Sequence, residues 1–394
     1  MKEILINKKD NITTIAIIEN GVLVEKYTQS DENARLEESI YIGKIQNILE
    51  GMQSAFVDIG EKKNTYIHIK DLMPKVNIIH TPNGIEKRDI RDIAKVGQKL
   101  LVQVKRDKTG SKGAKVSTHI SIPSRYIVLM PDTDIITISQ KIEDEKEKER
   151  LLRIVKSTLK KGYGAIIRTS CENKDEGKIK EDIQKTITKW EKIKKEFSEK
   201  TDKKIGLIYK ADSFIKKTIL DLIDEGIAKI ITNSKSYYEE IKKIIEEEKE
   251  NNIDLILKEE DILELYCINS QIEKTMQRKI WLKCGGFITI DKTEALTAID
   301  VNSGKYIGKS NLEETLLKVN LEATEEIVNQ IILRDIGGII IIDYIDMPET
   351  EDKDRIIRAL QKSLKRDRSK TQVIGFTKLN LLEMTRKHMK GENW

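Results

Sequence analysis

Two short apolar runs near the C-terminal end, each finishing on an aspartate, constrain this chain most. The first reads Ala295-Leu-Thr-Ala-Ile-Asp300-Val-Asn302-Ser-Gly304, the second Gly337-Gly-Ile-Ile-Ile-Ile-Asp343-Tyr-Ile-Asp346-Met347. Short β-branched runs of this kind read as buried strands. Between them Leu312, Leu316, Val319, Ala323, Ile327 and Ile331 recur at helical spacing. Ser310-Asn-Leu-Glu313 reads as the capping box that opens this helix. Strand, helix, strand predicts a crossover unit with acids at the carboxyl ends of both strands, the edge where open α/β sheets bind ligands.

Side chains alternate along a strand, so Leu296, Ala298, Asp300 and Asn302 should point one way. Asp343 should share a face with Ile341 and Ile345, and Asp346 should face the other side as a structural residue. One carboxylate from each strand and a nearby amide suit an octahedral Mg²⁺ that keeps several waters and meets a substrate phosphate. The competing reading, polar strand ends at a sheet rim, stays open at this point.

The 394 residues allow two to four domains. Charged residues make up 35% and the formal net charge is +5, which permits a nucleic-acid partner without requiring one. Three widely spaced cysteines, Cys171, Cys267 and Cys284, argue against a disulfide framework or a thiolate zinc site. A reduced, cytoplasmic setting follows. No signal peptide and no membrane-spanning run is expected.

The N-terminal apolar runs, Ile4–Ile6, Thr13–Ile18 and Val22–Val24, flank Asn20-Gly21, a hairpin signal. They should join a sheet built elsewhere. Over residues 36–120 short Gly-punctuated strands predict a small barrel. Phe56 and Tyr66 lie on its strands, beside a Lys-rich loop that holds Lys112. Exposed rings near lysines make a platform for single-stranded nucleic acid. Burial in the barrel is the alternative, more so for Phe56. Farther on, Gly164-Ala-Ile-Ile-Arg168-Thr169 is a strand ending in a guanidinium and a hydroxyl, groups that can hold phosphate. A strand-terminal arginine is also common without such a role. Residues 205–275 should alternate strand and helix, with strands at 205–209 and 227–232. A helix is expected over 350–367, a strand over 371–376 and a last helix over 379–389.

These motifs together resemble the ribonuclease E/ribonuclease G family of bacterial endoribonucleases. The resemblance rests on Ser54-Ala-Phe-Val-Asp-Ile-Gly60, Gly110-Ser-Lys-Gly-Ala114, Tyr126-Ile-Val-Leu-Met-Pro131, Ile167-Arg-Thr169, Cys284-Gly-Gly-Phe287, Thr293-Glu-Ala-Leu296, Ile299-Asp-Val-Asn-Ser-Gly304, Asn320-Leu-Glu-Ala323, Leu333-Arg-Asp-Ile-Gly-Gly338, Ile342-Asp-Tyr-Ile-Asp-Met347 and Leu382-Glu-Met-Thr-Arg386. The Gly304-Lys-Tyr-Ile-Gly308 continuation looks nearer the ribonuclease G branch. The resemblance implies a multidomain α/β chain. An RNase H-like subdomain would be split between 1–35 and 205–278. An OB-type RNA-binding domain (36–120) and a 5′-sensor region (121–204) would be inserted in it, and a DNase I-like catalytic subdomain (279–394) would follow. Carried over by position, Asp300 and Asp343 would bind Mg²⁺ (or Mn²⁺), with Asn302 supporting them. Arg168, Thr169 and the Val128 backbone would hold a 5′-monophosphate, and Phe56, Tyr66 and Lys112 would grip the RNA, Tyr66 standing where phenylalanine is usual. The implied activity is Mg²⁺-dependent cleavage of single-stranded RNA in rRNA and tRNA processing and mRNA decay, stimulated by a 5′-monophosphate and leaving 5′-phosphate and 3′-hydroxyl ends. The family's Cys-Pro-x-Cys zinc link has no counterpart before Trp394, so zinc is not expected, and a homodimer or higher oligomer is left open. A 2′-hydroxyl mechanism built on a histidine pair is disfavoured, because His68, His80, His119 and His388 fall in unlike segments. The alternatives are a non-catalytic RNA-binding or ribosome-associated module and a metal-dependent phosphoesterase with another substrate.

Overall fold

The computed structural model describes residues 2–30, 36–72, 80–81, 84–85, 89–108, 113–200, 204–250, 252–304, 312–347 and 349–388. Lys112, the Ser310–Glu313 capping box and the Gly304–Gly308 continuation therefore lie wholly or in part outside the described residues. The chain forms two compact units, Met1–Asn33 with Glu225–Trp394, and Ala34–Asp224.

In the unit spanning Ala34–Asp224, strands Ile40–Leu49, Ser54–Asp58, Thr65–His68, Lys115–Ser117 and Lys99–Arg106 pair in that order. The last pairs back onto the first, which closes a five-stranded barrel. Alternation fills it: Ile45, Ala55, Val57, Ile67, Val102, Val104 and Val116 point inward and are fully buried. Gly43 lets the wall close, because a Cβ there would lie 2.5 Å from a methyl of Val57. The expected strand at 205–209 is present as Gly206–Tyr209, but it pairs antiparallel with Ile40–Leu49 and widens the barrel sheet, not the N-terminal one. A second, four-stranded sheet orders Ile122–Pro123, Ile127–Pro131, Tyr163–Ile167 and Ile136–Ile138. Helices Glu145–Thr158 and Glu176–Lys200 supply Leu151, Ile154, Val155, Ile183 and Trp190 to a shared core.

The other unit holds two sheets. The first is five-stranded, in the order Asp254–Leu257, Ile227–Thr232, Lys2–Lys9, Ile12–Glu19 and Val22–Ser30. The Lys2–Lys9 strand pairs in parallel with Ile227–Thr232 across more than two hundred residues of sequence. The N-terminal hairpin thus completes a sheet begun elsewhere, and Asn20 and Gly21 take positive φ at its turn, as their residue types allow.

The second sheet is six-stranded and carries the paired aspartates. Its order is Lys279–Trp281, Phe287–Lys292, Leu296–Asn302, Gly338–Asp343, Leu381–Arg386 and Thr371–Phe376. One face packs on helices Leu312–Leu333 and Thr350–Leu364 through Ile288, Ile299, Val301, Ile340, Ile342, Leu382 and Met384. The expected last helix is a strand: Leu382, Met384 and Arg386 are buried while their neighbours are not, a period of two. The Leu-Leu-Glu-Met run favours helix, but an open sheet edge and a hairpin turn decide otherwise. In that turn Asn380 takes φ 62° and Thr377 N donates to Leu381 O at 2.8 Å.

Candidate active site

Asp300 and Asp343 are direct partners in the parallel register of the two central strands. Burial alternates along the first strand: Thr297, Ile299 and Val301 are buried, whereas Ala298 and Asp300 are exposed. The second behaves alike, with Ile340 and Ile342 buried and Asp343 exposed. The two carboxylates therefore stand side by side on the open face of a one-sided sheet. Asn302, two residues on, donates from Nδ2 to Asp300 Oδ2 at 2.6 Å and fixes that carboxylate's rotation.

Burial, the Asp300 charge and the Asp346 charge each push the Asp343 carboxyl above the usual carboxylate range. The expectation for Asp346 is corrected by this. The strand ends at Asp343, so alternation does not extend to residue 346, which is exposed and adds its negative charge to the same field. Among the described residues no group of three or more histidines, cysteines and carboxylates converges as a metal cage. Two carboxylates that repel one another, steadied by an amide, fit a hard divalent cation that keeps most of its waters.

The loop after Asp343 is pinned from the crossover helix. Asn320, fully buried, donates from Nδ2 to Ile345 O at 2.8 Å and accepts from Ile345 N at 3.1 Å. Thr324 Oγ1 lies 2.9 Å from the buried Tyr344 hydroxyl. Glu322 accepts from Cys284 N at 3.1 and 3.2 Å, holding the Cys284-Gly-Gly-Phe turn. That turn abuts the end of the Asp300 strand. Gly304, at φ 60°, leaves no room for a Cβ, which would sit 2.5 Å from Gly285 O. Sequence reasoning did not single out Asn320, Glu322 and Thr324 as the residues that hold these segments. The signal was there as polar side chains interrupting an apolar helical stripe.

In the other unit, Phe56 and Tyr66 face each other across neighbouring barrel strands. Phe56 is 38% exposed and Tyr66 half-buried, so the alternative of burial in the barrel, weighed more heavily for Phe56, does not hold for it. Ala55 and Val57 take the inward positions, and alternation turns the ring out. Elsewhere in that unit, Val128 and Arg168 lie close in one small sheet: Ile127–Pro131 pairs with Tyr163–Ile167, and Arg168 N donates to Tyr126 O at 2.9 Å. The Arg168 guanidinium donates to Ser124 O at 2.7 Å and to Asp221. Thr169 Oγ1 lies 3.0 Å from Ser139 Oγ. Of the histidines, His68 Nδ1 accepts from Lys70 N, while His119 and His388 bond to backbone carbonyls.

Residues 121–389 match the model of the ribonuclease E/G family. The chain is 35% identical to ribonuclease G of Escherichia coli (strain K12) over 390 residues, 98% of this chain and 79% of that protein. Ribonuclease G of Haemophilus influenzae gives the same figures. Ribonuclease E of Nostoc is 34% identical over 361 residues, 90% of this chain and 51% of that protein. No helix among the described residues is long and apolar enough to cross a membrane. With this identity spread over nearly its whole length, the chain belongs to the ribonuclease E/G family.

Proposed function

We propose that this protein is a cytoplasmic endoribonuclease that cuts single-stranded RNA with Mg²⁺ at Asp300 and Asp343, leaving 5′-phosphate and 3′-hydroxyl ends. The observation that carries the reading is the direct Asp300–Asp343 pairing on an open sheet face, with the Asn302 amide bonded to Asp300. A divalent cation bound there supplies charge stabilisation for a scissile phosphate and a more acidic water. Asn302 orients Asp300, and Asn320 holds the backbone that follows Asp343. The exposed face admits a phosphodiester without opening any core.

The barrel is read as an OB-type RNA-binding domain in which Phe56 and Tyr66 stack on bases. Lys112 is assigned with them by family position alone. Val128, Arg168 and Thr169 form the proposed 5′-phosphate pocket; the Asp221 contact keeps the Arg168 fork oriented before phosphate arrives. The six-stranded sheet with its crossover helix is read as the DNase I-like catalytic subdomain, and the five-stranded sheet as RNase H-like.

The test is cleavage of one unstructured oligoribonucleotide, with a 5′-monophosphate or a 5′-hydroxyl, in Mg²⁺. The wild type should cut internally and Asp300→Asn should not. Equal cutting by both would overturn the assigned site, and RNA binding without cutting would favour a non-catalytic module.

A further inference from the structure

Beside the paired aspartates the same open sheet face carries an exposed aromatic cluster. Trp281 opposes Phe287, which opposes Asn302; Lys279 opposes Thr289, which opposes Asp300. Residues directly opposite share a face, so all six stand on one side of the sheet. Their neighbours Ile280, Ile288, Ile290, Ile299 and Val301 belong to the core on the other side. Trp281 is 63% exposed, whereas Trp190 is buried. Its ring meets Phe287 edge-on with centroids 5.3 Å apart. Lys279 Nζ lies 4.1 Å from the Trp281 centroid and 3.6 Å from that of Phe287.

An indole left this open on an edge strand forgoes the burial that usually stabilises it. Here it is fixed in orientation by a second ring and by an ammonium, with much of its surface left free. Two strand spacings, about 10 Å, separate Trp281 from Asn302 and Lys279 from Asp300. That is the scale of a neighbouring nucleotide on the strand whose phosphate meets the carboxylates. The chemistry also matches, since a ring accepts any base by stacking and an ammonium accepts a phosphate.

We infer that Lys279, Trp281 and Phe287 form a stacking platform for one nucleobase adjacent to the cleaved phosphodiester. This rests on the endoribonuclease reading above, and it adds a contact on the catalytic sheet itself. The platform makes the base beside the cut contribute to binding whatever its identity, so it favours unpaired RNA over duplex, in which that base is already stacked.

The experiment walks a single abasic residue through the positions flanking the cut of one oligoribonucleotide. Binding is read by fluorescence anisotropy without divalent ions, and cleavage with Mg²⁺. For the wild type, removing the base at one flanking position should weaken binding about fivefold or more, the lower end of one base–aromatic stack. Trp281→Ala should lose the same factor on intact RNA and then be indifferent to that abasic position, while Trp281→Phe should retain most of the wild-type affinity. The inference is overturned if no abasic position weakens the wild type. It is overturned equally if Trp281→Ala binds intact RNA normally, or if its loss adds undiminished to the abasic loss. A wild-type walk with no sensitive position overturns the inference even should a variant fold poorly. A wild type that binds but never cuts would sink the endoribonuclease reading, and the binding arm would still settle the platform.

Discussion

Replacing Arg386 by methionine should unfold the six-stranded sheet locally, at a site remote in sequence from both aspartates. Arg386 and Asp367 are each 2% exposed, and Asp335 is 11% exposed. The guanidinium donates to Asp367 at 2.7 and 3.2 Å, to Asp335 at 2.7 Å and to Ile336 O at 2.9 Å. Methionine fills much of the same volume, so the loss is one of charge and hydrogen bonding, not of packing. Removing one partner of a buried ion pair costs about 3–5 kcal/mol, because the other charge stays desolvated. Since Leu381–Arg386 pairs with the Asp343 strand, the cost should appear as opening of that pairing. Native-state hydrogen exchange reads it directly: the strand's amides should exchange about a hundred- to several-thousand-fold faster. Adding Asp367→Asn should recover at least about 1 kcal/mol, because it removes the stranded charge. A deficit below about 1 kcal/mol, or no recovery on adding Asp367→Asn, would refute the reasoning.

Asn320→Ala should free the Ile345 backbone and raise the Mg²⁺ concentration needed for cleavage about 10- to 100-fold, the usual effect of losing an outer-shell contact, as a Mg²⁺ titration of rate would show. Arg168→Lys keeps the charge and loses the fork, so the rate advantage of a 5′-monophosphate over a 5′-hydroxyl substrate should fall several-fold while 5′-hydroxyl cleavage stays unchanged. Phe56→Ala should weaken RNA binding by about 1–3 kcal/mol without lowering the melting temperature, because the ring is turned out of the barrel. Burial would raise the Asp224 carboxyl, but hydrogen bonds from Arg125 and Lys174 outweigh it and hold the pKa low. Its stabilising contribution is thus present above the ordinary carboxylate range and lost as pH falls through the depressed value, so Asp224→Asn should flatten the acid limb of thermal denaturation.

The two central strands were legible because their pattern is local: period-two burial, glycine boundaries and a terminal carboxylate place Asp300 and Asn302 on one face without tertiary information. Their register was not. Only the fold makes Asp300 and Asp343 direct partners, since a one-residue slip would have put one of them into the core. The parity of Phe56 was undecided because it sits among Ala55, Val57 and Ile59, and hydrophobicity alone cannot say which parity faces the barrel. The C-terminal strand misled because the residues of Leu382-Glu-Met-Thr favour helix, and the pairing that overrides them is supplied by distant Gly338–Asp343. Asp346 escaped because alternation was carried past the point where the strand stops.

The crossover helix, not either strand, sets how the two aspartates are held. Its stripe of Val319, Ala323, Ile327 and Ile331 anchors it to the sheet, and this much a helical pattern foretells. The polar residues set into that same stretch have the more specific task. Glu322 holds the turn against which the Asp300 strand ends, and Asn320 and Thr324 hold the two residues that follow Asp343. Both carboxylates are thus indexed to one rigid element, so their mutual repulsion is resisted by hydrogen bonds to that helix and not by the strands alone. Two like charges at this spacing would otherwise relax apart or take up a proton, and Asp343, with its raised pKa, already leans that way. A divalent cation would relieve the same strain without moving the backbone. Two repelling carboxylates on strands tied to one rigid helix are therefore the preorganised arrangement through which the proposed site, with so few protein ligands, would hold a metal.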